Sequence, residues 1–181
     1  LGKREADMAG TGLVRLFLAV WPPPGVVAQI EAALPRGKGD LRWQSPDRWH
    51  ITLAFLGQRD VEQETARLAR LDIPVAHELR VRGSGSFGPV LWLGVDHGPW
   101  LNDLAADLRQ RFRVDERRFT AHITVARARN EAGRRELKRA AAELSEAASE
   151  AWLPREITLV QSTTGPHPRY EVIGRRAFEG P

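Results

Sequence analysis

The chain contains no cysteine. That absence excludes disulfides, zinc–thiolate sites and thiol nucleophiles together, so any catalysis must come from other side chains. No apolar run approaches the ~20 residues needed to cross a bilayer. The segment Leu1 to Gly10 also lacks the basic-then-apolar layout of a secretory signal. The expectation is a cytoplasmic protein without membrane contact. Methionine occurs once, at Met8, and residues 1–10 read as a disordered or appended segment outside the fold.

What is present is the composition of an ordinary globular protein, 42% apolar and 28% charged over 181 residues. That length suffices for one sizeable core or two closely packed half-domains, and is too short for two independent domains. Residues 11–181 are expected to form one compact unit. A formal net charge of +4 suits a polyanionic partner such as nucleic acid, and serves solubility equally well.

Along the chain, Arg15-Leu16-Phe17-Leu18-Ala19-Val20 is a short apolar run stopped by Pro22, Pro23, Pro24 and Gly25, as a buried strand before a turn would be. Helical spacing follows over Val26 to Leu34, then a brief extended piece at Leu41–Trp43 and a turn at Ser45-Pro46-Asp47. Trp49 to Gly57 alternates as a strand, and Asp60 to Leu71 is an amphipathic helix with Asp60 as its cap. Glu78–Arg82 and Val90–Val95 read as strands of a hairpin joined by the glycine-rich segment Gly83 to Gly88. A helix from Asp96, as cap, to Phe112 leads to a strand over Phe119–Arg127 and an Ala/Glu/Arg-rich helix from Glu131 to about Ala148. Two last strands, Glu156–Gln161 and Tyr170–Phe178, flank the loop Gly165-Pro166-His167-Pro168.

A strand, a helix and a strand bearing His-x-Thr occur over residues 15–57 and again, more loosely, over 90–127. An ancient duplication is the natural reading. The expected fold is α+β: two pseudo-symmetric lobes of antiparallel sheet, helices on their outer faces, and an active-site cleft between them. Residues two apart in a strand share a face, so His50 projects with Thr52 and His122 with Thr124. The alternate Ile51, Leu53, Ile123 and Val125 are apolar and mark the core side.

Two histidines without a third ligand or a carboxylate cluster make a poor metal site. They are well suited to acid–base work, because near an ordinary pKa of about 6.5 one imidazole can accept a proton while the other supplies one. Threonine hydroxyls can donate to non-bridging phosphate oxygens, and an arginine can offset the charge that develops there. Those are the parts that phosphodiester cleavage needs.

His50-Ile51-Thr52-Leu53 and His122-Ile123-Thr124-Val125 resemble the paired motifs of the 2H phosphoesterase superfamily, and most closely its RNA 2′,3′-cyclic phosphodiesterase family, also called the 2′-5′ RNA ligase family. The resemblance covers nearly the whole chain. Arg15–Val20 is similar to the family's first strand, and Arg42-Trp43 through Pro46 to Trp49–Gly57 is similar to its first motif block. Phe119–Arg127 is similar to its second block, and Ser162 through Gly165-Pro166 to Arg169-Tyr170 to its C-terminal hairpin. One departure is Ala121, where relatives often have proline.

The resemblance implies that His50 and His122 are the catalytic pair, with neither assigned as acid or base. It implies that Thr52, Thr124 and Arg127 bind phosphate, and that Phe55 stacks on the terminal base. It further implies hydrolysis of RNA 2′,3′-cyclic phosphate ends to 2′-phosphomonoesters, without metal or cofactor. A monomer is expected. Some relatives also join RNA ends through a 2′-5′ bond by the reverse chemistry. Strict alternation from the histidines sends Arg127 and Phe55 to the core side, so both roles require a bulge or bend in the strand.

Other residues are set aside. His77, His97 and His167 read as structural or solvent-facing. Arg117, Arg118 and Arg129 flank the second motif, as RNA guides or as a solvated face. Trp43 and Trp49 read as packing anchors before base platforms. Two alternatives stay open: a non-catalytic nucleotide or RNA-end binding module, and a phosphodiesterase for another small substrate, such as a cyclic dinucleotide product or a 2′-5′ oligonucleotide.

Overall fold

In a computed structural model, residues 12–35, 39–115, 118–165 and 168–180 are described. The segment 1–10, together with Arg117 and His167, lies outside them.

The chain runs β1 (Leu13–Val20), α1 (Pro24–Ala33), β2 (Leu41–Trp43), a single 3-10 turn (Pro46–Arg48), β3 (Ile51–Asp60), α2 (Val61–Ala69), β4 (Arg80–Phe87), β5 (Val90–Asp96), α3 (Gly98–Arg111), β6 (His122–Ala128), α4 (Glu131–Glu143), β7 (Glu156–Thr163) and β8 (Arg169–Ala177). The strands form one eight-stranded sheet in the order β4-β5-β6-β3-β1-β7-β8, with β2 also paired to β6. The pairings between these strands are antiparallel.

Two four-stranded halves are visible in that order. One holds β3, β1, β7 and β8, the other β2, β6, β5 and β4, and they meet where Ile51 pairs with Ile123. In each half the strand that precedes a helix pairs with the His-x-Thr strand that follows it, β1 with β3 and β5 with β6. The repeat read in the sequence is therefore a repeat of structure. One hydrophobic core cluster joins the halves, with Leu18, Ile51, Leu53, Leu91, Leu93, Ile123 and Val125 fully buried in it, and Phe17, Ala19 and Val160 form a second, smaller one. Among the described residues no helix is long and apolar enough to cross a membrane.

The helices lie close to their expected places. Asp60 caps α2 by accepting from the Gln63 amide at 2.8 Å. The fully buried Glu64 of this helix is paired with Arg59 at 3.3 Å and Arg67 at 3.1 Å, which supplies the partners a buried carboxylate requires.

Strand and helix ends shift by a few residues, the two motif strands running over Ile51–Asp60 and His122–Ala128 where Trp49–Gly57 and Phe119–Arg127 are expected, and three larger details differ from the sequence reading. The glycine-rich segment is strand and not loop, since β4 continues to Phe87. Of its glycines Gly85 serves close approach: a Cβ there would sit 2.4 Å from the Trp92 ring, as one on Gly94 of the partner strand would sit 2.5 Å from the Arg82 carbonyl. Asp96 is the last residue of β5 and does not cap α3, whose cap position is His97 without a side-chain cap bond. Helix α4 ends at Glu143 and does not reach Ala148. There tertiary pairing overrides alanine's helix propensity, because Ala147 accepts from the Gly83 amide and Ala148 bridges to Arg82 beside β4.

Candidate active site

The sheet order places the two motif strands next to each other at the centre of the molecule. The inward residues Ile51, Leu53, Ile123 and Val125 are all 0% exposed and fix the faces of both strands. His50, Thr52, His122 and Thr124 therefore project to the opposite side, where they are half-buried and line one cleft of about 970 Å³. The sequence expectation for these four positions and the observed placement agree.

Arg127 and Phe55 also line this cleft, and the two strands bring them there by the same device. On β6, Trp92 of β5 pairs with Thr124 and the next residue back, Leu91, pairs with Ala126, so one extra residue is accommodated. On β3, Ala19 of β1 pairs with Thr52 while Leu18 pairs with Ala54. Each bulge buries two consecutive residues, Leu53-Ala54 and Val125-Ala126, and returns the next to the cleft. Phe55 and Arg127 thus occupy equivalent positions, each five residues after its histidine. Phe55 is 71% exposed, so it is not a core residue.

Both imidazoles are held in the same way. The Nδ1 of His50 donates to the Arg48 carbonyl at 2.7 Å, and the Nδ1 of His122 donates to the Thr120 carbonyl at 2.7 Å. A carbonyl can only accept, so the proton of the neutral ring sits on Nδ1 and Nε2 is left to exchange protons. In the first half-site the Thr52 hydroxyl donates to Nε2 of His50 at 3.0 Å.

The surroundings of the two rings differ. Phe17 stacks on His50 at 4.8 Å, Trp21 lies tilted against it at 5.1 Å, and Tyr170 meets it edge-on at 5.4 Å. Trp21 is itself fixed by a 2.8 Å bond from Nε1 to the buried Thr158 hydroxyl. Burial in this aromatic enclosure drives the His50 pKa down from 6.5 to about 4, aided by the charges of His122 and Arg48 and opposed by the bond to the Arg48 carbonyl. His122 meets Phe87 edge-on at 5.1 Å and Trp92 at 6.1 Å. Burial lowers its pKa too, against the bond to Thr120.

Arg15, Arg48, Arg59, Arg109, Arg113 and Arg127 also line the cleft, and Asp115 is the one carboxylate among its described lining residues. Such a balance favours an anionic ligand. Among the described residues no three His, Asp or Glu side chains gather as a metal would require.

Of the residues set aside from the sequence, the described ones lie elsewhere. His77 packs near Trp100 at 5.8 Å, and His97 near Phe119 at 6.2 Å. Arg118 lines a separate, shallow hollow with His97 and Asn102, and the Arg129 amide donates to the Asp40 carbonyl at 3.1 Å. Trp49 is buried in the core and Trp43 packs against it, as anchors. Missed by sequence reasoning were Phe17, Tyr170, Phe87 and Arg48. The uninterrupted apolar run of β1 conceals which of its residues face the cleft, and only the C-terminal hairpin hinted at Tyr170.

A family model described as the 2′-5′ RNA ligase superfamily matches residues 16–166. A protein of Methanothermobacter thermautotrophicus named RNA 2′,3′-cyclic phosphodiesterase is 30% identical over 173 residues, covering 84% of this chain and 92% of that protein. The crystal structure of E. coli LigT in apo form superposes with a TM-score of 0.74 at 27% identity, covering 93% of this chain and 99% of that one. E. coli LigT complexed with 3′-AMP gives a TM-score of 0.68 at 28% identity, covering 92% and 98%.

Proposed function

The chain belongs to the 2′-5′ RNA ligase superfamily and is a phosphoesterase, and on that premise we propose that it opens RNA 2′,3′-cyclic phosphate ends to 2′-phosphomonoesters without a metal. His50 and His122 divide general base and general acid between them. In-line attack by water forms the new P–O bond as the P–O3′ bond breaks. One histidine takes the water proton and the other gives a proton to O3′. The Thr124 hydroxyl, the Thr52 hydroxyl once it turns its proton from His50 Nε2 to the phosphate, and the Arg127 guanidinium hold the non-bridging oxygens, where charge develops. Phe55 supports the terminal base. Replacing water by an RNA 5′-hydroxyl in the same geometry yields a 2′-5′ bond, the ligation reaction.

One observation carries this reading: both imidazoles are tied through Nδ1 to the carbonyl two residues earlier, which turns both Nε2 atoms, that of His50 beside the Thr52 hydroxyl, to a cleft lined by arginines. Burial lowers both histidine pKa values in the free protein. The anionic phosphate raises the proton affinity of a neighbouring imidazole on arrival, so the acid gains its proton as substrate binds. Both half-sites belong to one polypeptide, residues 11–181 forming a single bilobal unit, so a monomer suffices.

The test is turnover of a short RNA bearing a 2′,3′-cyclic phosphate, in EDTA, with identification of the product. A 2′-phosphomonoester is expected. Binding of the cyclic end without turnover would replace this reading with a non-catalytic RNA-end module. Turnover of small cyclic or 2′-5′ nucleotides alone would move the substrate class.

A further inference from the structure

The two half-sites use the residue two before each histidine in the same way, as a carbonyl anchor, yet the side chains there differ. Before His122 it is Thr120, an exposed residue outside the histidine cleft. Before His50 it is Arg48, which lines the cleft. The carbonyl function makes no demand on the side chain, so the guanidinium needs its own explanation.

Arg48 is docked on Tyr170. It ends the 3-10 turn that leads into β3, and its guanidinium lies over the face of Tyr170, 4.4 Å from the ring centre. Tyr170 in turn packs edge-on against both Phe17 and His50. Stacking of this kind pre-organises a cation without neutralising it. The Nε of Arg48 is buried and has no hydrogen-bond partner among the described residues. No described carboxylate forms an ion pair with Arg48. By contrast Arg59, on the same cleft, is committed to Glu64. A buried, unpaired donor beside His50 is costly unless a ligand completes it.

The geometry points to Arg48 as a further phosphate-binding residue, whose guanidinium, docked on Tyr170, takes an oxyanion of the substrate or product phosphate on the His50 side of the cleft. This rests on the phosphoesterase reading of the cleft and adds to it. Arg127 reaches the phosphate from the β6 side and Arg48 from the β3 side, so the two lobes supply one cation each. The greatest gain falls on the dianionic 2′-phosphomonoester, which carries more charge than the cyclic diester. Arg48 is thus also a determinant of product affinity.

The experiment is calorimetric titration of the full chain with 2′-AMP and with adenosine, for wild type, Arg48→Met and Arg48→Lys. Methionine keeps an apolar stem against Tyr170 and removes the charge. Its 2′-AMP affinity is expected to fall roughly ten- to a hundredfold, as for loss of a charged hydrogen bond, with adenosine affinity unchanged. Lysine, which keeps the charge and loses the planar fork, is expected to lie between. The Arg48 Nε–H resonance of wild type should move on adding 2′-AMP and stay fixed with adenosine, a readout that needs no variant to fold. Equal 2′-AMP affinity in wild type and Arg48→Met, a silent Nε–H resonance, or no binding of 2′-AMP by wild type would each overturn the assignment. Phosphate binding through Arg48 without turnover of cyclic-ended RNA would keep it and sink the hydrolase reading. Turnover with an indifferent Arg48 would do the reverse.

Discussion

The half-site around His50 and the half-site around His122 share a backbone and differ in solvent. Both present His-x-Thr at the start of a central strand, His50 just before β3 and His122 as the first residue of β6, both anchor Nδ1 on a carbonyl at 2.7 Å, and both use a bulge to recover the fifth residue after the histidine. Around His50, however, three aromatic rings and the Arg48 charge enclose the imidazole, whereas Phe87 and Trp92 border His122. Duplication alone yields two equal proton carriers, but acid and base roles require unequal ones. The lesson is that the motif fixes tautomer and aim, while the residues around it set proton affinity.

The strongest way to break this comparison is to remove each imidazole. His50→Ala and His122→Ala should each lose ~10²–10⁴ in kcat on cyclic-ended RNA, the range of a lost general acid or base. The double variant should fall little further, since paired groups act as a unit. A single variant within tenfold of wild type would remove that half-site from the chemistry.

The equivalent bulge residues sharpen it next. Arg127→Ala should weaken RNA binding about tenfold or more and lower the slope of log affinity against log salt by ~0.7, as for one lost contact to a single strand. Phe55→Ala should weaken binding ~5-fold or more with the salt slope intact, because stacking carries no charge. Affinity measured across a salt series separates them, and equal salt responses would contradict the assignment.

The threonines give a smaller contrast. Thr52→Val and Thr124→Val should each slow turnover by about tenfold through a lost donor. Only Thr52→Val should alter the titration of its neighbouring histidine, because Thr52 bonds Nε2 of His50. Nuclear magnetic resonance titration of both rings reads this directly.

The smallest effect concerns pH. Folded His50 titrates at about 4 while an unfolded histidine titrates near 6.5, so the unfolded chain binds the extra proton. Its contribution to stability is therefore present above pH ~6.5, is lost as pH falls toward ~4, and is flat below. Trp21→Ala opens the enclosure to water, so it should raise the His50 pKa and lessen that loss. An unchanged His50 titration in Trp21→Ala would show that the enclosure is not its cause.

The sequence disclosed the fold where pattern and packing coincide. Ile51, Leu53, Ile123 and Val125 alternate with the four His and Thr residues, and burial of the apolar set necessarily exposes the polar one. It disclosed less wherever a distant partner decides. The bulges that return Phe55 and Arg127 to the cleft depend on how β1 and β5 pair, which β3 and β6 do not encode locally. Gly83 to Gly88 reads as a loop because the reason for Gly85, room for Trp92, lies across the hairpin. Arg48 was overlooked because its partner Tyr170 is remote in sequence.

The division of labour between the histidines is tested most directly with a cyclic-ended RNA in which sulfur replaces O3′. A thiolate departs without a proton, so the variant lacking the acid should regain most of its lost rate and the variant lacking the base should not. Rescue of one of His50→Ala and His122→Ala, and not the other, is the predicted result and names the acid. Rescue of both, or of neither, would contradict a paired acid and base.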